Sequence, residues 1–384
     1  MNSIRLPKLT FWRGMLFLIL ILGIYSTIRR FGYGLGDATN MTDQFPWGIW
    51  IGFDVITGVG LAAGGFVLTA IVYIFNLKQY RPIVRPVILT AFLGYVLVII
   101  GLLYDIGQPH RLWHLLIYWN HHSVLFEVGW CVMIYSTVLA LEFSGYFFEK
   151  MRWTKLVKIQ HAAIIPLVIL GVILSTMHQS SLGSLFLIFP DKVHPLWYTP
   201  LLPLFFYITC IAVGLAMVIF ESFLSARAFG KKLEFGILVR LSQALAVVLA
   251  FYFLFKIEDL IRHGAFMNMF EGSYESWLFL TEILLGILLP SVLLFIPKIR
   301  SNPTGMFTAA CFAVFGFALG RMNVAITSME KVNQGIYFPS WMEWMITVFL
   351  VAIAFTVFAL AVKYLPIFPP EKPAAAVSGA ASNK

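Results

Sequence analysis

The sequence predicts an all-α protein, a polytopic transmembrane helix bundle of about ten spans arranged as two four-helix bundles plus two extra helices. Three observations predict it. Of the 384 residues 60% are hydrophobic and only 12% charged, and the mean hydropathy is +0.86, values foreign to soluble globular chains. Apolar runs of roughly 20 residues recur, each able to cross about 30 Å of hydrocarbon as a helix. Basic residues gather in alternate connectors, as they do in multi-pass chains.

Taken in order, the apolar runs place spans near 13–31, 48–75, 84–105, 123–147, 155–178, 200–226, 235–261, 276–297, 304–327 and 341–365. Arg5, Lys8 and Arg13 precede the first run as they would in a signal peptide, but no small-residue cleavage site follows, so a retained span is expected. The second run starts behind the FPWG turn and contains GVGLAAGG. Gly58, Gly60, Gly64 and Gly65 sit inside a span, where they suit close helix packing rather than a phosphate loop. The fifth run carries no charge from Ile164 to Leu174 and then meets His178, Gln179, Ser180 and Ser181. These four are expected to end the span at the outer face, beneath the apolar loop SLGSLFLIFPDKVHPLW, which can fold back as a roof. Pro166 and Pro290 mark breaks in the fifth and eighth spans. The chain thus reads as one integral membrane domain, 1–368, with a disordered cytoplasmic tail, PPEKPAAAVSGAASNK, at 369–384.

The net charge of +9 is a topology signal. About 19 of the 27 Lys and Arg lie on one side, including Lys78, Arg81 and Arg85, then Lys150, Arg152, Lys155 and Lys158, then Arg227, Lys231 and Lys232, with Lys298 and Arg300. That side is expected to be cytoplasmic and to hold both termini. Anionic headgroups of membrane lipid, not nucleic acid, are the expected neighbours of this charge. Cys131, Cys210 and Cys311 fall in separate runs without a CxxC, so the chain alone supplies neither an iron–sulfur cluster nor a disulfide framework.

With orientation assigned, ionisable groups sort into two layers. Asp54, Asp105, Glu127, His178, Glu258, Asp259 and Glu282 form the outer one, with Arg321 and Glu343 close by. Arg13, Arg85, Glu142, His161, Glu221 and Arg240 form the inner one. A central charge costs roughly 2.5–3.5 kcal/mol on insertion scales, so these groups are expected to face the bundle interior, paired or beside water. Plainer roles compete. Asp105 with Arg111, and Asp191 with Lys192, read as interfacial pairs in contact with water. Glu149, Glu234, Glu271 and Glu275 read as solvated, and His110, His114, His121 and His122 as exposed loop histidines. His161 reads as an internal hydrogen-bonding group. Glu127 differs, because it lies about one turn inside a span.

A haem held across a bundle needs histidines on facing helices at matching depth. His161 and His178 lie on one helix, about 25 Å of rise apart, so no haem is expected, although His121 or His122 approaching His178 leaves an outer haem open. No HExxH or paired histidine ladder suggests a metal.

FPWGIWIGFD at 45–54, RPIVRP at 81–86, SVLFE at 123–127, TMHQSSLGSL at 176–185, KVHPLW at 192–197, VIFES at 218–222 and YFPSW at 337–341 together resemble the NrfD/PsrC-type integral membrane subunits, in particular the HybB branch of uptake hydrogenases. The resemblance implies a membrane subunit outside the catalytic core, sited in the bacterial inner membrane. Its partners would be a periplasmic four-cluster ferredoxin-like iron–sulfur subunit and catalytic hydrogenase or other oxidoreductase subunits. Its redox partner in the bilayer would be a quinone, menaquinone or ubiquinone. It also implies proton transfer by the residues matching Arg85, Tyr95, Glu127, His178 and Glu221, and a general lack of haem.

A quinone headgroup needs hydrogen-bond donors for its carbonyls, an apolar slot and a proton supply. Glu127 and His178 are the first candidates to bind it and exchange its protons, with Asp54 next. Trp47, Trp50, Phe53, Trp113, Trp130 and Trp197 read as an aromatic belt, or some of them, Trp130 included, as walls of the slot. Glu142 and Glu221 lie deeper and, with Arg85 and Tyr95, could pass protons from the cytoplasm; alternatively Arg85 and Glu221 neutralise each other at the inner rim. Two other functions remain open on sequence alone: a secondary transporter using intramembrane carboxylates, and a passive anchor for a periplasmic enzyme.

Overall fold

The computed structural model describes residues 10–333 and 335–368. Arg5, Lys8, Lys372, Lys384 and the 369–384 tail lie outside the described residues. Among the described residues ten helices are long and apolar enough to cross a membrane: α1 Phe11–Tyr33, α2 Trp50–Ile74, α3 Lys78–Asp105, α4 Val124–Met151, α5 Thr154–Ile188, α6 Leu202–Phe229, α7 Phe235–Arg262, α8 Tyr274–Phe295, α9 Pro303–Glu330 and α10 Trp341–Tyr364. The all-α, multi-pass expectation is met.

Helices α2, α3, α4 and α5 pack in a closed ring of neighbours, and so do α6, α7, α8 and α9. The two bundles meet where α5 packs on α6 and where α2 packs on α6 and α9; α1 and α10 pack on each other at the side, with α10 also against α3. The expected two four-helix bundles plus two extra helices are therefore present. One end of the molecule, the basic face, joins Arg85 of α3 to Glu149 of α4 (2.9 Å) and to the Pro366 carbonyl beyond α10 (2.9 Å). The opposite face joins Asn40 to Glu343 (3.0 Å) and the His194 amide to the Ser328 carbonyl (2.9 Å).

Small residues set how closely the helices approach. Within α2 the Ala63 amide bonds to the Gly60 carbonyl (2.9 Å) instead of that of Val59. The helix is thereby broken at Ala62–Ala63, and the Val59 carbonyl is freed. Gly214 of α6 crosses at this break, since a Cβ there would lie 3.1 Å from both the Ala63 carbonyl carbon and the Gly64 nitrogen. Gly286 of α8 and Gly316 of α9 face each other so closely that a Cβ on either would overlap the other's backbone.

Several local expectations are corrected. The fifth span continues through His178 to Ile188, because Gln179, Ser181 and their neighbours find partners inside the bundle and have no need to leave it. Asp105 does not pair with Arg111. The end of α3 is capped instead by the buried Arg30 of α1, which donates to the Tyr104 carbonyl (2.6 Å) and the Ile106 carbonyl (2.8 Å), as a cation at a helix C-terminus should. Glu149 is bound to Arg85 rather than solvated, so Arg85 does not neutralise Glu221. His161 is exposed on α5 rather than hydrogen-bonded inside.

Glu343 is fully buried at the start of α10, in a capping box with Ser340, and it accepts from the Tyr337 hydroxyl. Burial, and then the Glu343 carboxylate, push the Tyr337 phenol above its usual pKa, so it remains a donor. Arg321 lies in the other bundle, away from this cap. Substituting Gly316 with Ala should destabilise the protein by roughly 1–3 kcal/mol through overpacking, whereas Gly14→Ala, with nothing within 4 Å of the added carbon, should be neutral. Thermal unfolding midpoints in detergent check the pair.

Candidate functional site

The site is built where polar residues of both bundles reach one another. His178 on α5 is wholly buried. Its Nδ1 lies 2.7 Å from the Leu174 carbonyl and its Nε2 lies 2.6 Å from the Tyr95 hydroxyl of α3. A carbonyl only accepts, so Nδ1 carries the proton; in the neutral ring Nε2 is then the acceptor, and Tyr95 donates to it. Tyr135 of α4 packs edge-on to Tyr95, with ring centroids 4.6 Å apart, and its hydroxyl is buried without a partner among the described residues.

One turn further along α5, Ser181 donates to Glu127 Oε1 of α4 (2.8 Å). The spacing explains the pairing: residues three apart on a helix share a face, so His178 meets α3 while Ser181 meets α4. Gln179 points another way. Its amide donates to the Val59 carbonyl freed by the break in α2 (3.3 Å), and its oxygen accepts from Cys210 of α6 (2.6 Å). Arg321 of α9 reaches the same thiol (3.6 Å), together with the Phe206 carbonyl (2.9 Å) and Thr209 (3.0 Å). A chain of polar contacts thus crosses the seam between the bundles.

Tyr95 and His178 are brought together, and Glu127 is brought to the same helix by Ser181. Trp130 is not. Its indole donates to the Leu115 carbonyl (3.0 Å) and its ring lies against Trp119, so it packs the loop after α3. The roof does form: Trp47 meets Phe186 and Phe189 edge-on, at 5.8 and 5.7 Å.

Asp54 belongs to a different place. It accepts from Thr347 of α10 (2.8 Å) and lines a cleft of about 550 Å³ between α2, α3, α6, α9 and α10. The lining is apolar apart from Asp54, Thr90, Glu221 and Ser225. Glu221 accepts from Ser225 (3.1 Å), while its other oxygen and the Thr90 hydroxyl are buried without partners. Glu142 is buried on α4, in electrostatic reach of Tyr73 and Tyr135, and joins neither locus.

Among the described residues no two histidines face each other from neighbouring helices of a bundle. His121 and His122 pair with each other in an exposed loop, and both nitrogens of His178 are already engaged. The donor set therefore does not fit a haem with two histidine ligands.

Sequence reasoning missed Gln179 with Cys210, the unpartnered Tyr135 and, in the second bundle, Lys256. A lysine in FYFLFKIEDL, six residues inside the end of α7, was a legible signal. Tyr135 carried none.

The comparisons with known proteins agree with the motifs. The family model described as polysulphide reductase, NrfD, matches residues 37–333. A protein of Nitratidesulfovibrio vulgaris is 41% identical, covering 91% of this chain and 92% of its own. The probable Ni/Fe-hydrogenase 2 b-type cytochrome subunit of Escherichia coli is 36% identical, over 92% of this chain and 91% of its own. The menaquinone reductase integral membrane subunit of N. vulgaris is 29% identical, over 95% and 93%. The ten-helix architecture, the buried polar seam and these matches along most of its length lead to one conclusion: the chain belongs to the NrfD family.

Proposed function

We propose that this chain is the membrane subunit of a respiratory oxidoreductase complex and exchanges electrons between a partner iron–sulfur subunit and the quinone pool. The names of its relatives, a hydrogenase subunit and a menaquinone reductase subunit, support this. The observation that carries it is the buried Tyr95–His178 pair, with Glu127–Ser181 one turn away, under an aromatic roof. Buried proton-exchanging groups in a membrane bundle are retained for function. A passive anchor needs none of them.

A bound quinone supplies a ring that takes up or gives up two electrons with two protons. This chain's part is to orient the ring and handle its protons. Tyr95 spends its proton on His178 Nε2, which leaves its oxygen as an acceptor on the quinone side. Glu127 holds or receives a proton at the oxygen that Ser181 leaves free. Trp130 supports the loop beside Glu127. No step runs through a haem.

The basic face is cytoplasmic in this proposal, with both termini there, in the inner membrane of a bacterium. The opposite face then meets a four-cluster ferredoxin-like subunit, which connects to catalytic hydrogenase subunits. The two bundles with α1 and α10 form the single membrane domain. Glu221 and Thr90, at the cytoplasmic end of the cleft, start a proton route, with Arg85 and Glu142 as candidate steps outside the cleft. A second reading places the ring in the cleft, with Asp54 as its carboxylate; the volume of about 550 Å³ favours it.

In the intact complex, His178→Ala and Glu127→Gln should each lower quinone reduction about a hundredfold while dye reduction by the catalytic subunit is retained. A larger loss in Asp54→Asn than in either would move the ring to the cleft. Glu221→Gln in liposomes should suppress charge movement more than electron transfer to quinone. Equal loss of both, or loss of neither, removes Glu221 from the proton route.

A further inference from the structure

The second bundle contains a polar chamber that quinone chemistry leaves unused. Lys256 of α7, Glu282 of α8 and Arg321 of α9, with Tyr252, line an internal cavity of about 50 Å³. Lys256 is 3% exposed, Glu282 and Arg321 5%, so all three charges are out of water. Each keeps polar capacity that the protein does not use. Arg321 spends Nη2 on Phe206, Thr209 and Cys210, and its Nε is buried without a partner. Glu282 Oε2 accepts from Trp197 (3.0 Å) and Asn323 (2.8 Å), and among the described residues no donor reaches Oε1. The Lys256 ammonium lies 5.2 Å from the ring centre of Phe205 and 5.8 Å from that of Phe279, and no described acceptor bonds it.

An ammonium has three donors, and two aromatic faces do not replace the hydration it has lost. A ligand of the cavity must supply the rest. Lys256 and Arg321 face Glu282, with Asp259 next to Lys256 on α7, so the charges balance and no anion is required. At roughly 15 Å³ per water the cavity takes a small cluster, with Thr209, Tyr252, Lys256, Glu282 and Arg321 as its polar partners in an otherwise largely apolar wall. It also has an outlet. Asp259 accepts from Thr199 (2.8 Å) and lies 3.1 Å from Nδ1 of His263, whose side chain is 41% exposed at the opposite face. On the inner side Arg321 touches Cys210, and Cys210 touches Gln179, the neighbour of His178.

We propose that this chamber holds a water cluster that exchanges protons with the opposite face through Asp259 and His263, as a second proton-handling site between Lys256, Glu282 and Arg321. Its proton role rests on the quinone function proposed above; its water content does not. Tyr252 and Asp259 face Lys256 from its own helix, Glu282 from α8 and Arg321 from α9, while the loop before α6 adds Trp197 and Thr199.

Two measurements test it. Radiolytic hydroxyl labelling of the resting complex in isotopically heavy water should mark Tyr252 and Phe205 several-fold above Phe186, which is buried outside the chamber. Labelling no stronger than at Phe186 overturns the water cluster. In liposomes, Lys256→Met should keep uncoupled quinone reduction within about twofold but cut proton delivery to the opposite face at least about fivefold, and Lys256→Arg should restore it. Unchanged proton delivery in Lys256→Met overturns the proton role. A wild-type complex that fails to reduce quinone overturns the function proposed earlier, and it is told apart because labelling is read without turnover.

Discussion

In hydrocarbon a polar group has no water to fall back on, so each must find its partner inside the protein. That constraint orders this molecule. The outer surfaces of the helices are apolar, and the charges are gathered into contacts between helices: Arg30 on the end of α3, Arg85 on Glu149, Glu343 under Tyr337 and Asn40, and Arg321 across the seam. These contacts join segments that secondary structure alone would leave separate. Polar groups that would be expensive alone therefore also decide which helices are neighbours.

The break in α2 shows the same logic applied to backbone. Gly64 lets α6 approach at Gly214, while Gly58 and Gly65 face α3 and Gly60 faces α9. The carbonyl released at Val59 is then satisfied by Gln179, which also holds Cys210. Local weakness in one helix is thus converted into a fixed junction of three. The seam is polar because the backbone there is irregular, and the irregularity is tolerated because it is buried in protein.

Much of this was legible in the sequence. Ten apolar runs and alternating basic connectors are signals of length and composition, which depend on no tertiary contact. His178 and Glu127 stood out because polar groups in apolar runs are rare, Tyr95 came only from the family resemblance, and His178 and Tyr95 do meet. The partner of each was not legible, since pairing depends on rotation about helix axes that periodicity leaves undetermined when a helix is apolar all round. Hence Glu149 read as solvated, although Arg85 lies across from it, and Asp54 read as a candidate for the same headgroup as Glu127, although α2 turns it toward Thr347 of α10. The end of α5 was misplaced for a related reason. A polar cluster normally marks the membrane boundary, but here it marks an interior.

The side-by-side pair of α1 and α10 has a consequence for how the chain is made. Gly23 of α1 is filled by the ring of Phe349 of α10, more than 300 residues later in the sequence. Helix α1 therefore completes its packing only once α10 has been made. Until then Arg30 can dock on the end of α3 and tether it. Biogenesis closes like a clasp, and a chain cut short before α10 would leave α1 tethered at Arg30 but with its Gly23 face open to lipid, within reach of membrane quality control.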